Sequence, residues 1–165
     1  MRRLIWVAAL AALMGGCGYK PIKHYTRSAF EGGVYTQVKV YLRDPQNAVL
    51  IKDAVKEAVM ERFGGHLANR RSAATAVDIK IKRLFFTPLE YDKNGYVVYY
   101  RTKVIMEFDL TRGQKSQRIT TSGFYDFAIE PNSVISDTLR FIAIRESAKK
   151  AIDRFISRVA YMEAR

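Results

Sequence analysis

From Tyr96 to Leu110 the chain supports one uninterrupted period-two reading. Tyr96, Val98, Tyr100, Thr102, Val104, Met106, Phe108 and Leu110 take one side, and Val97, Tyr99, Arg101, Lys103, Ile105, Glu107 and Asp109 the other. Successive strand side chains point to opposite faces, so this run predicts one long strand with an apolar face to bury. Asn94-Gly95 stands directly before it, a hairpin signal, because tight hairpin turns call for left-handed backbone that Asn and Gly adopt readily. The stretch TRGQKSQ after it is a polar turn.

The other periodic segments fix what this strand can pack against. Val34 to Leu42 alternates, with Val34, Thr36, Val38, Val40 and Leu42 on one face. Ala48, Ile51, Val55, Val59 and Phe63 then recur every three or four residues, which predicts a helix over 45–63. Asp44 with Pro45 at the first helical position, or alternatively Asn47, opens it, and Gly64-Gly65 stops it. From Thr75 a strand returns, with Val77, Ile79 and Ile81 opposite Asp78, Lys80 and Lys82; RLFFTP breaks the pattern and Pro88 ends it. A further strand covers Arg118 to Phe127. Pro131-Asn132-Ser133 opens the last helix, capped by Asn132 or Ser133 and running to about Met162. Its stripe is Val134, Thr138, Phe141, Ile144, Ala148, Ile152, Phe155 and Val159. Its charged face carries Arg140, Arg145, Lys149, Lys150, Arg154 and Arg158. The order β-α-β-β-β-α predicts an α+β fold, a two-layer sandwich with both helices on one face of a mostly antiparallel four-stranded sheet. It forms a single domain over residues 34–165.

The N-terminal end reads differently. Arg2 and Arg3 precede the apolar run Leu4 to Met14, then Gly15-Gly16 and the chain's single cysteine, Cys17. A charged start, an apolar segment short for a bilayer and small residues before a cut site describe a secretory signal peptide over residues 1–16, cleaved before Cys17. The setting looks like the lipobox of bacterial lipoproteins, although Met14 stands where Leu is usual. In that reading Cys17 carries an S-diacylglycerol and an N-acyl group, and Gly18 rather than Asp directs export to the outer membrane. An ordinary signal peptide with an incidental cysteine and an uncut anchor are the alternatives. Residues 17–33, rich in Gly, Tyr, Lys and Ser, read as a lipidated tether. The whole chain has 28 Lys and Arg against 16 Asp and Glu; the leader takes two arginines and no acid, leaving about +10. A basic domain suggests nucleic acid, but an exported lipoprotein meets phosphorylated glycolipids instead.

For catalysis the sequence offers no constellation. His24 falls in the tether, His66 after the helix stop, and neither Glu130 nor Asp92 has an acid partner at useful spacing. The glycine doublets are not phosphate loops. One cysteine and two distant histidines make a poor metal set. The expectation is a non-enzyme with no metal and no cofactor beyond the covalent acyl groups. Binding has better material: Lys80 and Lys82 share one strand face and Arg101 and Lys103 another, with Arg83 joining if an irregularity turns it outward. Such cations meet phosphates by charge and, for arginine, by bidentate hydrogen bonds. Tyr91, Tyr96, Tyr99 and Tyr100 cluster around one hairpin, suited to a surface part core and part interface.

Taken together, CGYKP after the leader, the VKVYLRDPQNAVLIKDAVKEAVMERF strand-to-helix unit, the Asn-Gly hairpin and the long terminal helix resemble the LptE family of lipopolysaccharide-assembly lipoproteins. The resemblance covers most of the chain after the leader, in element order. It implies a non-enzymatic outer-membrane lipoprotein, periplasm-facing, that sits as a plug inside the barrel of its partner LptD, helps that barrel assemble and binds lipopolysaccharide. It carries over one site residue, the acylated Cys17. Lys80, Lys82, Arg83, Arg101 and Lys103 remain candidates from the residues alone. The competing reading is an outer-membrane-anchored periplasmic lipoprotein that regulates a cell-wall synthesis enzyme.

Overall fold

The computed structural model describes residues 30–40 and 48–163. The leader, Cys17, most of the tether, Leu42 and the candidate caps Asp44 and Asn47 lie outside the described residues. The elements are β1 (Val34–Val40), α1 (Ala48–Phe63), a 3-10 turn (Gly64–His66), β2 (Thr75–Tyr91), β3 (Val97–Arg112), β4 (Lys115–Ala128) and α2 (Asp137–Glu163). The sheet runs β1-β2-β3-β4, with β1 parallel to β2 and the other two pairs antiparallel. This is the predicted α+β sandwich, in the predicted order.

The alternation in β2 and β3 sets the inner face. Val77, Ile79 and Ile81 from β2 and Val104, Met106, Phe108 and Leu110 from β3 join Ile51, Val55, Val59 and Phe63 of α1 and Ile144, Ile152 and Phe155 of α2 in one core. Phe108 stacks on Phe155 with centroids 4.3 Å apart, tying the sheet centre to α2. Phe30 is fully buried and meets Phe63 edge-on at 5.2 Å. The packed unit therefore takes in residues 30–33, which composition groups with the tether. One aromatic residue in a glycine-rich stretch carries no period to reveal its burial.

Three boundaries differ from the sequence reading. Most of TRGQKSQ, expected as a turn, is strand: β3 runs to Arg112 and β4 starts at Lys115, leaving Gly113 and Gln114 between them. β2 continues through Pro88 to Tyr91. Among the described residues β1 pairs only as far as Ile81, so no described strand lies on the other side of the far half of β2, and the missing proline N–H interrupts no ladder there. α2 starts at Asp137 rather than near Pro131: Asn132 sits at φ 59°, and the Ser133 hydroxyl donates to the Glu130 carbonyl at 2.6 Å, closing a separate turn. Ser136 caps the helix instead, its Oγ accepting from the Leu139 amide at 3.3 Å. Val134, counted in the helical stripe, is 89% exposed.

The β2–β3 hairpin thus extends past the end of β1. Its turn is held by the Asp92 carboxylate, which accepts from the Asn94 and Tyr96 amides at 2.9 and 2.8 Å, with Gly95 at φ 86°. Phe85, Leu89, Tyr91, Tyr96 and Tyr99 along it are exposed. Its inner face continues the core as an aromatic cluster, with Phe127 stacked on Tyr100 at 6.0 Å and edge-on to Phe86 at 6.5 Å.

Candidate functional site

The five candidate sheet cations fall into two places on the outer face. Register sets Lys80 opposite Glu107 and Arg101 opposite Thr87 and Asp126. Six β3 residues separate the two places, roughly 20 Å at strand rise. Around Lys80 the surroundings are acidic. Its ammonium donates to Asp109 at 2.6 Å and to Glu107 at 3.4 Å, Arg118 donates to Asp109 at 2.7 Å, and Lys82 lies 4.0 Å from Glu107. The hydrogen bond from Arg118, then that from Lys80, holds the Asp109 carboxyl below its usual range. At the other place Arg101 grips Asp126 with two parallel bonds, 2.7 Å from Nε and 2.6 Å from Nη2. Those bonds hold Asp126 low as well. Lys80, Lys82 and Arg101 therefore already face carboxylates.

Arg83 and Lys103 differ. A register slip between Ile81 and Arg83 leaves Lys82 as the extra residue and turns Arg83 outward, opposite Ile105. Lys103 lies opposite Phe85 on one side and Phe124 on the other. Both are exposed, and neither has a salt-bridge partner among the described residues.

The basic face of α2 splits in the same way. Arg145 and Lys149 turn toward α1, where Arg145 donates to Glu57 at 2.6 Å and Lys149 reaches Glu61 at 2.5 Å, with Glu146 between them at 3.2 and 2.7 Å. Lys150, Arg154 and Arg158, at successive four-residue spacing, turn toward β4. Arg154 and Arg158 donate to the Ser122 and Thr120 carbonyls at 2.5 and 3.0 Å, covering an edge strand that would otherwise offer free acceptors.

What permits this approach is Gly123. A Cβ there would collide with the Ser147 carbonyl and the Ala151 amide of α2, so glycine lets helix backbone lie directly on strand backbone. The buried Thr121 hydroxyl donates across the seam to the Ala151 carbonyl at 2.7 Å. Beside the seam lies an open groove of about 820 Å³ lined by Lys103, Ile105, Phe124, Lys150, Arg154 and Arg158. The Phe124 ring has Arg101, Lys150 and Arg154 over it at 4.6, 5.1 and 6.0 Å. One carboxylate lines the groove, Asp153, and Arg62 of α1 already holds it. Nη2 donates to Oδ2 at 3.0 Å, while Nε, 2.8 Å from Oδ1, lies off the line of its N–H. Burial pushes the Asp153 carboxyl up, against the pull of Arg62.

The sequence reading brought Lys103 forward but not Phe124, and left open which way the basic face of the last helix turns. Gly123 inside a strand is the one local sign of a close backbone approach. Among the described residues no group of three His, Cys, Asp or Glu side chains is placed to hold a metal ion. No described helix is long and apolar enough to cross a membrane.

The family model for lipopolysaccharide assembly, LptE, matches residues 35–159. No protein of curated function matches in sequence. Among solved structures, the chain is similar to the rare lipoprotein B of Shewanella oneidensis, with 16% identity, TM-score 0.47, and 79% of this chain and 96% of that one covered. A lipoprotein of Caulobacter crescentus CB15 gives 14% identity, TM-score 0.46, and 87% and 95% coverage. The minor lipoprotein of Acinetobacter baumannii gives 9% identity, TM-score 0.43, and 81% and 95% coverage.

Proposed function

The chain belongs to the LptE lipopolysaccharide-assembly family, and from that membership we propose that it sits inside an LptD-type outer-membrane barrel, helps that barrel assemble and binds lipopolysaccharide during delivery to the surface. The family is one of non-enzymatic outer-membrane lipoproteins. In this reading Cys17 is the acylated anchor and the folded domain faces the periplasm.

The observation that carries the partnership is the hairpin arm. Leu89, Tyr91, Tyr96 and Tyr99 lie exposed along it, from 36% to 59%. Tyrosine suits a half-wet contact because the ring buries apolar area while the hydroxyl stays hydrogen-bonded, the combination a plug against a barrel wall needs. Of the sheet cations expected to meet glycolipid phosphates, Arg83 and Lys103 keep that role, since Lys80 and Arg101 are hydrogen-bonded to their acids and Lys82 lies beside Glu107.

Isolation of the tagged protein from outer membranes of its own host tests the reading. A large barrel protein should accompany it in near-equal amount, and intact mass should show three acyl chains on Cys17. Recovery without any barrel partner rules out the plug; an unmodified sulfur or an uncut leader rules out the anchor.

A further inference from the structure

We propose that the groove between β4 and α2 seats the phosphate of a phosphorylated lipid, with Lys103, Lys150 and Arg158 meeting the anion and Phe124, Ile105 and Phe85 carrying the adjoining apolar part. The inference is independent of the barrel partnership. It gives the lipid-handling half of the proposed function, on which it rests, a definite seat.

Charge is the first argument. Arg101, Lys103, Lys150, Arg154 and Arg158 gather around one side of β4, and the carboxylates among them are Asp126, gripped by Arg101, and Asp153, held by Arg62. Lys103 and Lys150 have no salt-bridge partner among the described residues, and Arg158 uses one Nη on a carbonyl and keeps its other donors. Like charges lining one groove repel, and a bound anion relieves the repulsion. Elsewhere the molecule supplies its own acids: Lys80 has Glu107 and Asp109, while Arg145 and Lys149 have Glu57, Glu61 and Glu146. Around the groove five cations face two carboxylates, Asp126 and Asp153, and both are already held by arginines.

The apolar flank decides between a lipid and a free ion. Register aligns Phe85, Lys103 and Phe124 across β2, β3 and β4 on the outer face, and both phenylalanines are exposed, 43% and 37%. A free dianion in so open a groove keeps its water and is screened over about 8 Å at physiological salt. A phosphate attached to an apolar body gains burial of that body against the two rings as well.

Full-length lipoprotein in nonionic detergent is titrated with dihexanoyl phosphatidate, dihexanoyl phosphatidylcholine and inorganic phosphate, followed by calorimetry. Phosphatidate should bind, more weakly as salt rises from 0.05 to 0.5 M. Phosphatidylcholine and inorganic phosphate should bind at least about tenfold more weakly. Combined Lys103→Gln, Lys150→Gln and Arg158→Gln should cost roughly thirtyfold, about threefold for each exposed cation. Lys103→Gln alone, at a solvent-facing side chain, should cost its threefold with an unchanged melting temperature. Lys80→Gln with Lys82→Gln should change nothing. If wild type binds no phosphatidate, the lipid-handling reading falls and the groove with it. If wild type binds and the triple variant binds equally, or the Lys80/Lys82 variant loses as much, the groove alone is wrong. Equal affinity for inorganic phosphate makes it a free-anion site and overturns the lipid assignment.

Discussion

Gly123→Ala tests the seam on which the groove depends. The added Cβ would meet the Ser147 carbonyl and the Ala151 amide, both backbone atoms of α2, so no flexible side chain can move aside. The helix itself must retreat by about 1.5 Å at the Ser147 carbonyl to restore ordinary van der Waals distance, and a gap of that size forfeits at least half of each dispersion contact along the seam. Overpacking of this kind costs about 1–3 kcal/mol, with backbone collisions at the upper end. Stretching the buried bond from Thr121 to the Ala151 carbonyl adds about 1 kcal/mol. A total near 3 kcal/mol lowers the melting temperature of a domain this size by roughly 10 °C. Thermal melts followed by far-ultraviolet circular dichroism check it. Gly65→Ala serves as control, since nothing lies within 4 Å of a Cβ there, and should shift the melt by no more than about 2 °C. A Gly123→Ala protein that melts within 3 °C of wild type would mean that the helix does not lie on the strand as described.

Phe30→Ala should destabilise by about 3–5 kcal/mol in a denaturant titration, because the ring is fully buried between Phe63 and Phe155; a loss under 1 kcal/mol would return residue 30 to the tether. Thr121→Val, which removes one buried hydrogen bond with little change of shape, should cost about 1 kcal/mol by the same method. Asp109 and Asp126 have folded pKa values held below the unfolded carboxylate value of about 4. The stability they supply is therefore complete above pH ~4 and lost as pH falls through their lower folded values. Melting temperatures between pH 7 and 2.5 should drop steeply only in that acid range, and Asp126→Asn should flatten the drop.

The fold was legible because its two periods are long. β3 has Val104, Met106, Phe108 and Leu110 buried and Lys103, Ile105 and Glu107 outward, as alternation requires, and α1 buries Ile51, Val55, Val59 and Phe63 at helical spacing. The boundaries that failed are set by single residues with no period. Left-handed Asn132 delays α2 to the Ser136 cap, and β2 tolerates Pro88 because no described strand lies beside it there. Phe30 is a core residue without neighbours in sequence to announce it.

The candidate site was legible in residue type and not in place, for a reason that register makes plain. Lys80 and Lys103 look alike in sequence, each a lysine alternating with apolar residues on a strand. Cross-strand pairing gives Lys80 the carboxylate of Glu107 as its opposite number and gives Lys103 two phenylalanines. The same holds on α2, where Lys149 and Lys150 are adjacent in the chain yet point a helical step apart, one to Glu61 of α1 and Glu146 of its own helix and the other to the rings of β4. Net charge therefore measures how much cation the chain carries, while packing decides how much of it any ligand meets. Gly123 links the two levels: by bringing α2 onto β4 it moves Lys150, Arg154 and Arg158 to the sheet edge beside Lys103. A bulkier residue at 123 should weaken phosphatidate binding even though it touches no ligand. The loss should exceed that of an equally destabilised core variant such as Ile79→Ala, and equal losses would mean that binding follows global stability and not the approach of helix to strand.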